Sequence, residues 1–112
     1  MTMINWSQFT AVDMRVGTII SVELFPEANK PAYKLTIDFG QGLGLKKTSA
    51  QLTHRYTPET LVNKQIVAVV NFPPKQIANF MSECLVLGAV DESGDVILLE
   101  LNAKVDNGLR IA

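Results

Sequence analysis

Val12-Asp13-Met14-Arg15-Val16-Gly17-Thr18-Ile19-Ile20-Ser21-Val22-Glu23-Leu24 alternates with a period of two. The even positions are Val12, Met14, Val16, Thr18, Ile20, Val22 and Leu24, and the odd ones include Asp13, Arg15, Gly17, Ser21 and Glu23. Alternation over such a length predicts a β-strand long enough to bend around a barrel. Gly17 is the expected point of bending, because a glycine inside a strand commonly marks a bulge or coil.

Downstream, Tyr33, Leu35, Ile37 and Phe39 alternate with Lys34, Thr36 and Asp38, which predicts a second strand after a loop spanning Pro26–Pro31. Gly40, Gly42 and Gly44 mark a turn, and Leu45–Ser49 returns as a third strand, completing an antiparallel meander. Thr57-Pro58-Glu59 is a helix start, with Thr57 as cap and proline at the first helical position. That helix is expected to end near Asn63, with a fourth strand over Gln65–Val70 and a break at Asn71–Pro74. Cys84–Val90 and Val96–Leu101 read as a last hairpin around the polar turn Asp91–Asp95, and Trp6–Ala11 reads as one helical turn ahead of the first strand. This element order is that of an all-β fold: a five-stranded Greek-key OB barrel with a short helix between strands 3 and 4 and short terminal extensions.

At 112 residues and 47% hydrophobic, the chain has the size and apolar content of one folded domain, residues 1–112. So large an apolar share in so short a chain suggests that some of its surface is covered by a second subunit. One cysteine, Cys84, permits no internal disulfide. The first residues carry no signal-peptide pattern, and the longest apolar runs fall far short of the ~20 residues a spanning helix needs. These features predict a cytoplasmic protein without membrane insertion.

The net charge of −1 conceals an uneven distribution. Residues 28–81 carry seven cations (Lys30, Lys34, Lys46, Lys47, Arg55, Lys64 and Lys75) against Asp38 and Glu59, whereas residues 82–112 carry two cations against six anions. A basic middle segment suits phosphate if it forms one surface, and lysines that merely face solvent suit it equally.

Catalytic patterns are missing from the sequence. His54 is the sole histidine, which excludes a His-rich or Cys/His zinc site within one chain, and it has no evident acid partner for a triad. Gly40-Gln41-Gly42-Leu43-Gly44 lacks the Gly-Lys-Ser/Thr ending of a phosphate loop and reads as a hairpin turn. Cys84 opens an apolar run and reads as a buried hydrophobe. A non-enzymatic protein without cofactor or metal is expected.

Asp13-Met14-Arg15-Val16-Gly17, Asp38-Phe39-Gly40, Ser49-Ala50-Gln51 and Met81-Ser82-Glu83 occur in the order found in the tRNA-binding domain family, which the chain resembles from about Phe9 to Ile111. Lys30-Pro31-Ala32-Tyr33-Lys34-Leu35 and Val69-Val70-Asn71-Phe72-Pro73-Pro74-Lys75-Gln76-Ile77 resemble the CsaA branch, whose members are export-related chaperones with peptide-binding activity. The resemblance implies a homodimer of OB folds, with elements at both chain ends building the interface. It implies binding of unfolded preprotein peptides and of tRNA, the alternative being a dedicated tRNA-binding protein of translation. The binding residues it implies are Lys30, Lys34, Ser49, Gln51, Asn71, Lys75, Ser82 and Glu83. Asn71 equally suits a turn, Ser49 and Gln51 a cap, and Glu83 a bond to backbone amides. Phe72 and Phe80 suit either stacking on a ligand or core packing. Asn29-Lys30-Pro31-Ala32-Tyr33 departs from the acidic-Lys-Leu-Tyr entry of the wider family, and Pro73-Pro74-Lys75 replaces an Arg-Lys pair. Fewer cations at the groove favour peptide over tight tRNA binding.

Overall fold

The computed structural model describes residues Met1–Ala112. In chain order the elements begin with α1 (Trp6–Ala11), β1 (Met14–Leu24), β2 (Tyr33–Asp38), β3 (Leu45–Ala50) and α2 (Pro58–Leu61). They continue with β4 (Gln65–Val69), β5 (Lys75–Ile77), β6 (Phe80–Ser82), β7 (Leu85–Val86), β8 (Gly88–Val90) and β9 (Val96–Leu98). Five strands make one antiparallel sheet in the order β3-β2-β1-β4-β7, which curls into a nearly closed OB-type barrel. No helix is long and apolar enough to cross a membrane.

The long strand β1 serves two partners. Its first half pairs with β4 (Met14↔Val69 to Thr18↔Gln65), and its second half pairs with β2 (Thr18↔Asp38 to Leu24↔Tyr33). The register slips between Ile19 and Ser21, so the irregularity lies at Ile20 and not at Gly17. The bulge inverts the alternation. Ile19 is fully buried before it and Val22 packs against the core after it, whereas Ile20 at the slip is left 43% exposed. Gly17 has a different task. A Cβ there would stand 2.6 Å from Ile37 Cγ2 and 2.7 Å from the Phe39 ring, so only glycine lets the strand lie this close to the core of β2.

Tyr33, Leu35 and Ile37 of β2 and Phe39 just after it enter the core. Leu61 of α2 joins them at zero exposure, a burial worth about 2 kcal/mol for a leucine. The helix forms because Thr57 caps it. Its side chain accepts from the Thr60 amide, the Thr60 hydroxyl returns the favour to the Thr57 amide, and Pro58 supplies a preset first residue. The helix ends at Leu61, two residues before Asn63, which takes a φ of 72° that asparagine tolerates better than most residues. The Asn63 amide then donates to the Ile19 carbonyl at 2.7 Å and feeds the chain into β4.

The last part of the chain differs from the single hairpin that its sequence predicts. The run Cys84–Val90 divides at Leu87. Its amide donates to Val67 in the barrel, and its carbonyl accepts from Leu99. β7 therefore belongs to the barrel, while β8 pairs with β9 in a separate ribbon. Gly88 permits the switch: a Cβ would lie 2.6 Å from Val96 Cγ1 and 2.7 Å from the Ile97 carbonyl oxygen. The segment after the break at Asn71–Pro74, to which the sequence pattern assigns no strand, contains the β5–β6 hairpin, with Lys75↔Ser82 at its base and Ile77↔Phe80 at its turn. The two-residue turn is Ala78-Asn79, and it is Ala78, not Asn79, that takes the positive φ of 52° where glycine is usual.

Both chain ends lie outside the barrel. The C-terminal segment runs beside the start of β1, through Val16 N–H to Leu109 O, Gly108 N–H to Val16 O and Ile111 N–H to Met14 O. Arg15 donates from Nε to Asp13 at 2.6 Å and from Nη1 to the Gly108 carbonyl. α1 buries none of its residues.

Candidate binding cavity

A cavity of about 630 Å³ opens between the loop before β2, the end of β3, the β5–β6 hairpin and β7. Its lining has three levels. Ala32, Leu52 and Cys84 are buried at the bottom, Ile77, Val86 and Val96 are half-buried on the walls, and Lys30, Gln51 and Lys75 stand exposed at the rim. Ser49, Ser82 and Thr48 add hydroxyls.

Five of the eight residues expected from the sequence meet in this lining: Lys30, Ser49, Gln51, Lys75 and Ser82. Lys34, Asn71 and Glu83 lie outside it. Asn71 spans the root of the barrel, with Oδ1 accepting from the Asp13 amide at 3.0 Å and Nδ2 donating to the Ala11 carbonyl at 2.7 Å. The Glu83 carboxylate accepts from the Lys47 amide at 2.9 Å, and the Glu83 amide donates to the Lys47 carbonyl at 2.7 Å. That pair joins the edge of β3 to the segment entering β7. Lys34 turns towards two aromatic rings, those of Phe25 and Phe80.

The hydroxyls at the cavity's back form a relay. Ser82 Oγ lies 3.3 Å from the Ser49 amide and 2.8 Å from Thr48 Oγ1, which lies 2.8 Å from the Cys84 carbonyl. With one proton on each hydroxyl, the order that satisfies every group runs from the Ser49 amide through Ser82 and Thr48 to the Cys84 carbonyl. Ser82 is thus engaged by the barrel and also faces the cavity.

Charge is confined to the rim. The ion pairs of the structure are Arg15–Asp13 and Lys64–Glu100, and Asp95 lies 2.9 Å from His54 Nδ1, so neither Lys30 nor Lys75 is neutralised by a carboxylate. Below them the environment is apolar. Burial pushes the Cys84 thiol up to about 11, against a smaller opposing pull from Lys46, so this sulfur is a neutral apolar group at physiological pH. No group of three or more His, Cys, Asp or Glu side chains is placed to hold a metal ion.

A second hollow of about 250 Å³ adjoins the first and shares Lys75, Ser82, Cys84 and Leu85 with it. Phe72 and Pro73 complete its lining, and Phe72 is 53% exposed. Phe80 instead packs edge to face on buried Phe25 with ring centroids 5.5 Å apart. The apolar lining residues Leu52, Ile77, Val86 and Val96 carry no local signal of this role, because an apolar residue facing a cavity alternates like one facing the core.

Comparison with known proteins follows the same geometry. Residues 14–110 match the family described as "Putative tRNA binding domain". The chain is similar to the crystal structure of the chaperone CsaA from Bacillus anthracis, at 54% identity and a TM-score of 0.94, covering 99% of this chain and all of that one. It is also similar to the CsaA chaperone protein from Picrophilus torridus, at 54% identity and a TM-score of 0.92, covering 98% of this chain and all of that one. Methionine–tRNA ligase of Porphyromonas gingivalis is 32% identical over 108 residues, 96% of this chain, of which the chain spans 15% of the ligase's length. An OB barrel matched from the start of β1 to the C-terminal segment, and shared at more than half identity with two CsaA structures, leads to one assignment: the chain belongs to the tRNA-binding domain family, in its CsaA-like branch.

Proposed function

We propose that this protein is a non-catalytic, dimeric binding module that holds apolar segments of unfolded or preprotein chains in the cytoplasm, as an export-related chaperone, and that it also binds tRNA. The observation that carries the proposal is the layering of the cavity: buried apolar groups at the bottom, hydroxyls at the back, and unpaired lysines only at the rim. Such a site takes an apolar side chain from a flexible segment and leaves polar backbone at the rim. A structural relationship to chaperones at 54% identity supports the peptide role.

The tRNA role is supported by family membership and by the basic segment 28–81 that supplies Lys30 and Lys75. In this reading Lys30 and Lys75 meet phosphate, while Ser49, Gln51 and Ser82 offer hydrogen bonds to sugar or base edges. Asn71 and Glu83 contribute by holding the walls. A dedicated tRNA-binding protein without chaperone activity is the second reading, favoured by the same lysines. The dimer is supported by apolar residues left in solvent at the chain ends, among them Met3 (93% exposed), Ile4 (67%), Trp6 (73%) and Leu109 (50%).

Fluorescence-anisotropy titration of bulk tRNA and of an unfolded preprotein peptide, each at low and high salt, separates the two roles. Peptide affinity is expected to change little with salt, and tRNA affinity to fall steeply. Lys30→Ala and Lys75→Ala are each expected to reduce the salt slope for tRNA by about one. Absence of tRNA binding at low salt removes the RNA role, and absence of peptide binding removes the chaperone role.

A further inference from the structure

Lys34 lies in β2, opposite Glu23 of β1 on one side and Ser49 of β3 on the other. Opposed Lys and Glu on one face of a sheet ordinarily pair. Here they do not, since the ion pairs of the structure are formed by other residues. The Lys34 ammonium instead sits over two rings, 5.0 Å from the centroid of Phe25 and 5.6 Å from that of Phe80.

The two rings belong to different parts of the molecule. Phe25 follows β1, is 3% exposed, and is fixed to the barrel. Phe80 opens β6, at the turn end of the β5–β6 hairpin. Lys34 therefore caps the joint by which the hairpin's far end rests on the barrel. The near end is held separately, by Ser82 through Thr48 and the Ser49 amide. Ile77, paired with Phe80, and Ala78, in the turn beyond it, line the cavity at the far end, and Lys75 lines it at the near end, whereas Lys34 does not. A two-stranded hairpin of three-residue strands has little stability of its own, so its position is set by what it docks on.

We propose that Lys34 is a positioning residue: its ammonium, seated on the Phe25 and Phe80 rings, holds the β5–β6 hairpin as a wall of the cavity and raises ligand affinity through that wall, without touching the ligand. The proposal rests on the cavity being the binding site.

The test compares Lys34→Met, which keeps the stem and removes the charge, with Lys34→Arg, which keeps a cation for the rings. Amide hydrogen exchange of residues 75–82 reports the wall directly, and anisotropy of a dansylated peptide of uncharged, apolar residues reports affinity. Because that peptide has no side-chain charge, loss of a direct ion contact scarcely affects it. Lys34→Met is expected to speed exchange in the hairpin by roughly five- to thirtyfold, as two lost cation–π contacts imply. Peptide affinity should weaken by a similar factor, and Lys34→Arg should restore both. Exchange at the wild-type rate in Lys34→Met overturns the proposal, as does faster exchange with unchanged peptide affinity. A loss confined to tRNA, with the salt slope lowered by about one, makes Lys34 a phosphate contact and also overturns it. If the wild-type protein binds no uncharged peptide, the peptide-binding reading fails, while the exchange comparison still decides whether Lys34 holds the hairpin.

Discussion

The Thr48 hydroxyl donates to the Cys84 carbonyl at 2.8 Å, joining β3 to the segment that enters β7 where the five-stranded sheet comes round on itself. Thr48 is 1% exposed and Cys84 6% exposed, so water does not replace this bond if it is lost. The same hydroxyl meets Ser82, which places the seam of the barrel and the back of the cavity on one relay. Thr48→Val keeps the shape and removes the donor. It is expected to destabilise the fold by about 1–3 kcal/mol, read as a lower urea midpoint, while Thr48→Ser retains most of the stability.

Gly17 makes a sharper steric demand. A methyl group at this position would stand 2.6 Å from Ile37 Cγ2 and 2.7 Å from the Phe39 ring, both in a fully buried layer. Gly17→Ala is expected to cost about 1–3 kcal/mol through overpacking, and Gly17→Val more. Chemical denaturation measures the loss. An unchanged midpoint for Gly17→Ala would mean that β1 and β2 can separate freely at this point.

Asp13 contributes to the acid limb of stability. The hydrogen bond from Arg15 is the main reason its carboxyl lies below the usual 3.8, against a smaller upward push from burial. A depressed folded value means that the contribution is present above the unfolded pKa and lost as pH falls through the folded one. Stability should therefore decline below about pH 4 in the wild type. With both side chains about a quarter exposed, the Asp13 share is under about 1 kcal/mol. Asp13→Asn should flatten that part of the pH profile in thermal-melt measurements and loosen the C-terminal segment that Arg15 also holds.

Cys84 should be chemically quiet. Its thiol, pushed up to about 11 by burial, is almost wholly protonated at pH 8. Reaction with a disulfide reagent is expected at roughly a hundredth of the unfolded chain's rate or slower, and full reactivity should return in denaturant. Fast modification of the native protein would mean that the bottom of the cavity opens to solvent.

The proposed dimer predicts a single response from two chain ends. Trp6→Glu combined with Leu109→Glu places charge on an exposed apolar surface and should convert a particle of twice 12.3 kDa into one of 12.3 kDa in analytical ultracentrifugation. A wild-type protein that sediments as a monomer at micromolar concentration would refute the dimer.

Local sequence by itself determined the elements that local chemistry controls. The alternation in β1 and β2, the Thr57–Pro58 start of α2 and the polar turn at Asp91–Asp95 each depend on neighbouring residues, and each is legible in the chain. So are five residues that the fold brings to one cavity, Lys30, Ser49, Gln51, Lys75 and Ser82, although only a family pattern singles them out. Tertiary structure decided the rest. Which residue of β1 bulges depends on how β2 and β4 share that strand, and the answer, Ile20, reverses the face on which its second half is read. The switch at Leu87 needs Val67 on one side and Leu99 on the other, partners far apart in sequence. Lys34 looks like a free cation in the chain and is seated on two rings in the fold, because Phe80 returns to it from 46 residues away. The cavity itself, reaching from Ala28 to Val96, is a space between elements, and no stretch of sequence encodes a space.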